Sequence, residues 1–297
     1  MTSGVASKGM SFTARHIALA GGVVAGVALA AAALAASSSA IPHLMTSAEF
    51  GWQSNVADWQ EPPPGRGRGP IKNDPAYPYT SNAEAARTGT QPTKRIGDAK
   101  DPILKPWAAA QMQASNDEVL RGERDIPFAA QARCYPGGVP GQLLFPFEPL
   151  YFIQGTNLIW MIWQRDHMVR RIFLTDRHSQ HVRLSWFGDS IGHYENADTL
   201  VVDTIGLSTK NSYIDNFRTP HTEKLHVVER FTLDPDGNSL TAIATVDDPD
   251  TFNTPLTMLQ RWFKVNARIK ETICAESPAD FFHQNLFPVP QADKPDF

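Results

Sequence analysis

The stretch Trp186–Gly206 reads WFGDSIGHYENADTLVVDTIG, and its reading decides the fold. Gly188-Asp189-Ser190 after an aromatic pair announces either a serine esterase or a turn leading into a β-hairpin. The surrounding residues favour the hairpin. Asp198–Ile205 is rich in the β-branched residues that suit strands, and Glu195–Asp198 supplies a polar turn ahead of it.

The same pattern repeats on both sides. Leu150–Gly155, Asn157–Arg165 and Val169–Thr175 read as strands joined by short polar links. Downstream, Glu223–Leu233 and Ser239–Asp247 flank Asp234-Pro235-Asp236-Gly237, a strong hairpin signal. Leu256–Val265 and Ala267–Ala275 complete a set of about eight strands. Short links between strands predict antiparallel pairing, and no helical pattern interrupts the run. The expectation is a mainly β fold: an antiparallel up-and-down barrel of lipocalin (calycin) type, with an extended N-terminal arm and one short helix. The longer links, Asp176–Ser190 and Gly206–Thr222, are expected over the barrel mouth.

The chain has 297 residues, 42% hydrophobic, with 23 Pro, 20 Gly and a formal charge of −4. This is globular composition, and without a basic surplus it excludes a nucleic-acid partner. Residues 1–40 differ in kind. Lys8 and Arg15 precede an apolar run from Ile17 to Ala36, and small residues Ser38 and Ala40 precede Ile41. That order is an export signal. The run is also long enough, at about 20 residues, to remain as an anchor. Both readings place the rest of the chain in the periplasm or outside the cell, touching the membrane only through residues 17–36.

Residues 41–102 are rich in Pro, Gly, Asn and Thr and read as an extended arm. Residues 103–141 hold the helix, starting near Pro106 with Leu104, Trp107, Ala108, Met112 and Val119 on one face, and a connecting loop. The β-domain spans 142–277 and a tail 278–297. Cys134 and Cys274 are the two cysteines. In an oxidising compartment they read as a disulfide, with two buried thiols as the alternative.

Two resemblances bear on function. The FGDSIG stretch and Asp280–His283 resemble the Gly-Asp-Ser and Asp-x-x-His elements of GDSL-type esterases, which implies Ser190 as nucleophile, His283 as base and Asp280 as its partner. That family's α/β fold and oxyanion-hole elements have no counterpart here. The second resemblance is longer. The opening stretch, with RCYPGGVPG upstream and PHTEKLHVVERF downstream, looks like a group of exported bacterial proteins of undefined function. It spans roughly Cys134 to Phe252, with Tyr194 where tryptophan is expected. It implies a coherent exported domain and carries no activity.

The residues themselves offer two chemistries. Trp160, Trp163, Phe173, Trp186, Phe231 and Trp262 lie in or beside strands and suit a pocket for a small apolar or aromatic molecule. Asp176, His178, Asp189, His193, Asp203, His221 and Glu229 suit acid–base work at the mouth. Pairing by proximity puts His178 with Asp176, His193 with Asp189 and His221 with Glu223. Period-2 reading turns Asp203, Glu229 and Glu271 toward the apolar side of their strands. An inward carboxylate needs a partner, such as Arg170, Arg171 or Arg261, or a position just outside the core. His178, His181, His193 and His221 lack the spacing of a metal motif, so neither metal nor cofactor is expected. The leading expectation is an exported barrel that binds a small apolar or aromatic molecule. The alternatives are a cofactor-free lyase, hydratase or isomerase, then the esterase, then an envelope scaffold.

Overall fold

In a computed structural model describing residues 50–121, 135–145, 148–210 and 212–272, nine strands close into one barrel. They are β1 (Gly51–Gln53), β2 (Leu150–Gln154), β3 (Leu158–Trp163), β4 (Val169–Phe173), β5 (Asp189–Asn196), β6 (Thr199–Ile205), β7 (His226–Leu233), β8 (Ser239–Asp247) and β9 (Leu256–Val265). Each strand neighbours the next in chain order, and β9 pairs back with β1. The fold is thus mainly β and closed.

The antiparallel up-and-down expectation needs correction at one seam. β4 and β5 run parallel, with Ile172 opposite Ser190 and Phe173 opposite Ile191, so the barrel is mixed. The cause is residues 174–188, which take in most of the Asp176–Ser190 link expected over the mouth. They carry the chain back along the barrel, so β5 starts level with β4, as a parallel neighbour must.

The arm also departs from expectation. Its start supplies β1, and Gln60 and Arg68 bridge to Leu259 and Leu256. It also contains a helix, α1 (Asn82–Thr88). The Ser81 hydroxyl accepts from the Glu84 amide at 3.1 Å, and Gly89 ends the helix at φ 70°. Ser-x-x-Glu followed by a glycine is a start and stop signal that the Pro- and Gly-rich average hides. The expected helix is α2 (Pro106–Arg121), which buries Ala108, Met112 and Val119. Trp107 leaves the predicted face; it is 41% exposed and donates from Nε1 to the Asp250 carbonyl. With Ile71 and Ile103, α2 packs on Val227, Val246 and Leu256, at the start of β7, the end of β8 and the start of β9. That plugs one end of the barrel.

Of the last strand expected over Ala267–Ala275, residues 273–275 lie outside the described residues and Ala267–Glu271 is irregular, with Ile269 exposed and Glu271 outside the core. Among the described residues of this segment only Thr272 bridges, to Arg165 in the β3–β4 turn. Residues 266–270 have no flanking strand among the described residues, where β1 already occupies the second edge of β9.

Alternation fills the lumen. Ile159, Met161, Ile172, Leu200, Val202, Phe231, Leu240 and Ala242 are no more than 1% exposed. Among them sits one ion pair. Arg170 points inward from β4, and its two terminal nitrogens meet the two oxygens of Glu229 on β7, at 3.0 Å for the Nη1–Oε1 bond. Its Nε donates to Ser190 Oγ at 3.1 Å and Nη2 to Thr204 Oγ1 at 2.8 Å. The Met161 sulfur lies 4.0 Å from Nη1. All five guanidinium hydrogens therefore have a partner. The face assigned to Glu229 was correct, and its partner is Arg170; Arg171 and Arg261 point outward.

Removing one partner leaves the other charged and buried. Arg170→Met and Glu229→Gln should each lose about 3–5 kcal/mol in urea unfolding. The double variant Arg170→Met/Glu229→Leu should lose clearly less than the two losses added together. Additive losses would mean the pair does not act as a unit.

Candidate functional site

Strand alternation assigns separate tasks to Gly188, Asp189 and Ser190. Gly188 has φ 60°, and a Cβ there would lie 2.3 Å from the Ile205 carbonyl oxygen, so the chain can pass only with glycine. Ser190 faces inward and is 1% exposed. Its Oγ accepts from Arg170, lies 3.0 Å from Thr204 Oγ1 and donates to the Phe187 carbonyl at 3.3 Å. The hydroxyl is a member of the ion-pair network. Asp280 and His283 lie outside the described residues.

Asp189 faces outward, on the same side as Asp203 of β6 and His226 of β7. Asp203 was expected toward the core. It stands outside because Leu200, Val202 and Thr204 take the inner positions of β6. Residues 174–188 fold back over this outer surface and bring His178 between the two carboxylates. His178 Nδ1 lies 3.1 Å from Asp189 Oδ2, and Nε2 lies 3.0 Å from Asp203 Oδ1. The Ser179 amide donates to the same Asp189 oxygen at 2.8 Å. On the far side of Asp203, His226 Nε2 reaches the same Oδ1 at 2.9 Å.

Hydrogen counting constrains this chain. The two His178 bonds need one hydrogen each, whereas a neutral imidazole carries a single one. Both contacts are hydrogen bonds at once only when one further proton sits on the ring or on one of the two carboxylates. The His226 bond places a hydrogen on its Nε2 and leaves the Nδ1 lone pair without a partner among the described residues. The His226 side chain is 42% exposed, against 21% for His178 and 16% for Asp189. Water and small molecules reach the His226 end first.

Of the seven acid–base residues proposed from sequence, three meet here: His178, Asp189 and Asp203. Asp176 is exposed beside Arg177. His193 is exposed on β5, opposite Val201. Glu229 is in the lumen with Arg170. His221 is buried, with Nδ1 at 2.9 Å from the Thr222 carbonyl and Nε2 unpaired. His226 escaped the sequence reading. Its signal was the outward side of β7, opposite Val227 and Glu229, which matters only once β7 is known to lie beside β6. Among the described residues, no group of three His, Cys, Asp or Glu is arranged to hold a metal ion.

The aromatic residues divide by face. Trp163, Phe231 and Trp262 are inside and no more than 2% exposed. Phe231 packs edge-on against Phe152 at 5.7 Å, and Trp163 stacks on Phe187 at 5.8 Å. Trp160 and Phe173 are on the outer face. Trp186 is half-buried beside Tyr135 and donates to the Lys210 carbonyl. Cys134 and Cys274 lie outside the described residues.

The chain matches no protein-family model and no curated protein.

Burial holds the His221 imidazole below its ordinary value, outweighing the Thr222 carbonyl and Asp248, which act the other way. The unfolded chain then binds a proton that the folded chain refuses. Stability from this group is complete above about pH 6.5 and falls as pH drops through that value toward the lower folded one. Melting temperatures between about pH 7.5 and about pH 5 should fall less steeply in His221→Gln than in the parent. Parallel curves would remove His221 from the acid response.

Proposed function

We propose that the protein performs cofactor-free proton transfer on a small molecule at the outer His–Asp chain, in an elimination, hydration or isomerisation. One observation carries this reading: His178 and His226 converge on the same oxygen of Asp203, at 3.0 and 2.9 Å. Asp203 fixes the His226 ring with Nε2 as donor, which presents Nδ1 as a base. His178, bonded to the other side of the same carboxylate, is placed to carry the second proton of such a reaction. An acid and a base joined through one carboxylate suit a reaction that removes one proton and returns another. The export-type N-terminus supports placing this chemistry outside the cytoplasm.

A second reading, binding of a small apolar or aromatic molecule in a lipocalin-like barrel, is favoured by a polar pair at the barrel end away from α2. The Tyr194 hydroxyl donates to Gln154 Oε1 at 2.6 Å, leaving the Gln154 amide nitrogen buried and unpaired. Burial pushes the Tyr194 phenol up to about 12, so it stays a donor. A ligand carrying a carbonyl or hydroxyl oxygen would satisfy the amide. Packed residues fill the lumen beyond it, so the molecule would sit at the end of the barrel.

The test is hydrogen exchange from D2O into a panel of aromatic and aliphatic hydroxy- and oxo-compounds, followed by NMR. His226→Gln should slow exchange by about 10²–10⁴-fold with an unchanged melting temperature. Asp203→Asn should also be slow, because the ring loses its orientation. Undiminished exchange in His226→Gln would end the proton-transfer reading. Exchange by neither protein, with a compound retained in native mass spectra and lost in Gln154→Leu, would favour binding.

A further inference from the structure

The outer face of β2, β3 and β4 is apolar and open. Ile153, Trp160 and Arg171 form one cross-strand row, Leu158 and Phe173 a second, and Ile162 and Val169 a third. Ile153 and Val169 are 44% exposed and Phe173 40%. Leu158, Trp160 and Ile162 between them are half-buried, and apolar side chains clustered over three adjacent rows of one sheet face suit an interaction surface.

The chain itself arrives at its edge. After β9, the Ala267 carbonyl accepts from the Tyr151 hydroxyl at 3.4 Å, and the Lys270 amide donates to Gln164 Oε1 at 3.2 Å. The Asp166 amide then donates to the Thr272 carbonyl at 2.8 Å. Thr272 is thereby fixed at the β3–β4 turn, beside the row of Ile162 and Val169. Residues 273–297 continue from that point. They carry Phe281, Phe282, Leu286, Phe287 and Val289, with Glu276 and Asp280 ahead of the first phenylalanine.

We infer that the C-terminal segment docks on this face, with Phe281–Val289 covering Ile153, Trp160, Val169 and Phe173. Length permits it. Residues 273–280 extended span up to about 28 Å, whereas Val169 to Phe173 is about 13 Å along the strand. Charge agrees: Arg171 is the cation within the face, and Asp280 immediately precedes the apolar cluster. The segment therefore acts as an outer cover for the hairpin that holds Arg170.

The experiment uses the full chain with the photoreactive residue p-benzoylphenylalanine in place of Val169, an exposed position, and separately in place of Phe173. After irradiation, intramolecular cross-links should map by peptide mass spectrometry to residues 281–289. Combining the label with Phe281→Ser, Phe282→Ser and Phe287→Ser should reduce their yield at least fivefold. Cross-linked dimers would assign the face to a second copy, and cross-links to added phospholipid vesicles to a membrane; either result overturns the inference. So would absence of cross-links at both positions in folded protein.

Discussion

A charged guanidinium in the middle of a packed barrel is the constraint on which the rest of this structure depends. Arg170 is 1% exposed, and its hydrogens are distributed over Glu229, Ser190, Thr204 and Met161. Those residues come from β7, β5, β6 and β3. The arginine on β4 therefore ties together five consecutive strands. It lies beside the parallel seam, where β4 and β5 share only two register partners. A buried ion pair is a poor source of net stability but a strong source of specificity in this setting, because a strand slipped by one residue would turn Arg170 or Glu229 outward and leave its partner unpaired.

The parallel seam also positions the outer His–Asp chain. An antiparallel hairpin between β4 and β5 would need only a short turn. The parallel arrangement requires residues 174–188 to travel back along the outside of the barrel, and that path delivers His178 to Asp189 and Asp203. Ser190 and Asp189 are adjacent in sequence and opposite in duty: one supports the internal arginine, the other holds the returning loop. Scaffold and site are thus coupled through a single dipeptide. Placing the acid–base groups on rigid strands β5, β6 and β7 also fixes the His226 ring with little freedom to lose.

Most of the strands were legible because apolar side chains recur with period two, and the Asp234–Gly237 turn announced its own hairpin. The inward face of Glu229 was legible for the same reason. Asp203 was misplaced because Val201 and Leu200 are both apolar and both buried, one under neighbouring structure and one in the lumen, so alternation within β6 is ambiguous. The β4–β5 direction was illegible because nothing in residues 174–188 distinguishes a return path from a mouth loop. The His178 pairing followed from that path and from no local spacing; its sequence neighbour Asp176 is exposed instead. Helix α1 was hidden by averaging over a Pro-rich window, although Ser81, Glu84 and Gly89 stated its limits.

The central claim is that His178 and His226 share one oxygen of Asp203 and that His226 Nδ1 is left open to a substrate. It is tested most directly by nitrogen-15 NMR of the two imidazole rings in the folded protein. The account predicts a hydrogen on His226 Nε2 and a bare Nδ1, hydrogen bonding at both nitrogens of His178, and simultaneous change in both rings on Asp203→Asn. A hydrogen on His226 Nδ1 with a bare Nε2, or rings that do not respond to Asp203→Asn, would contradict it.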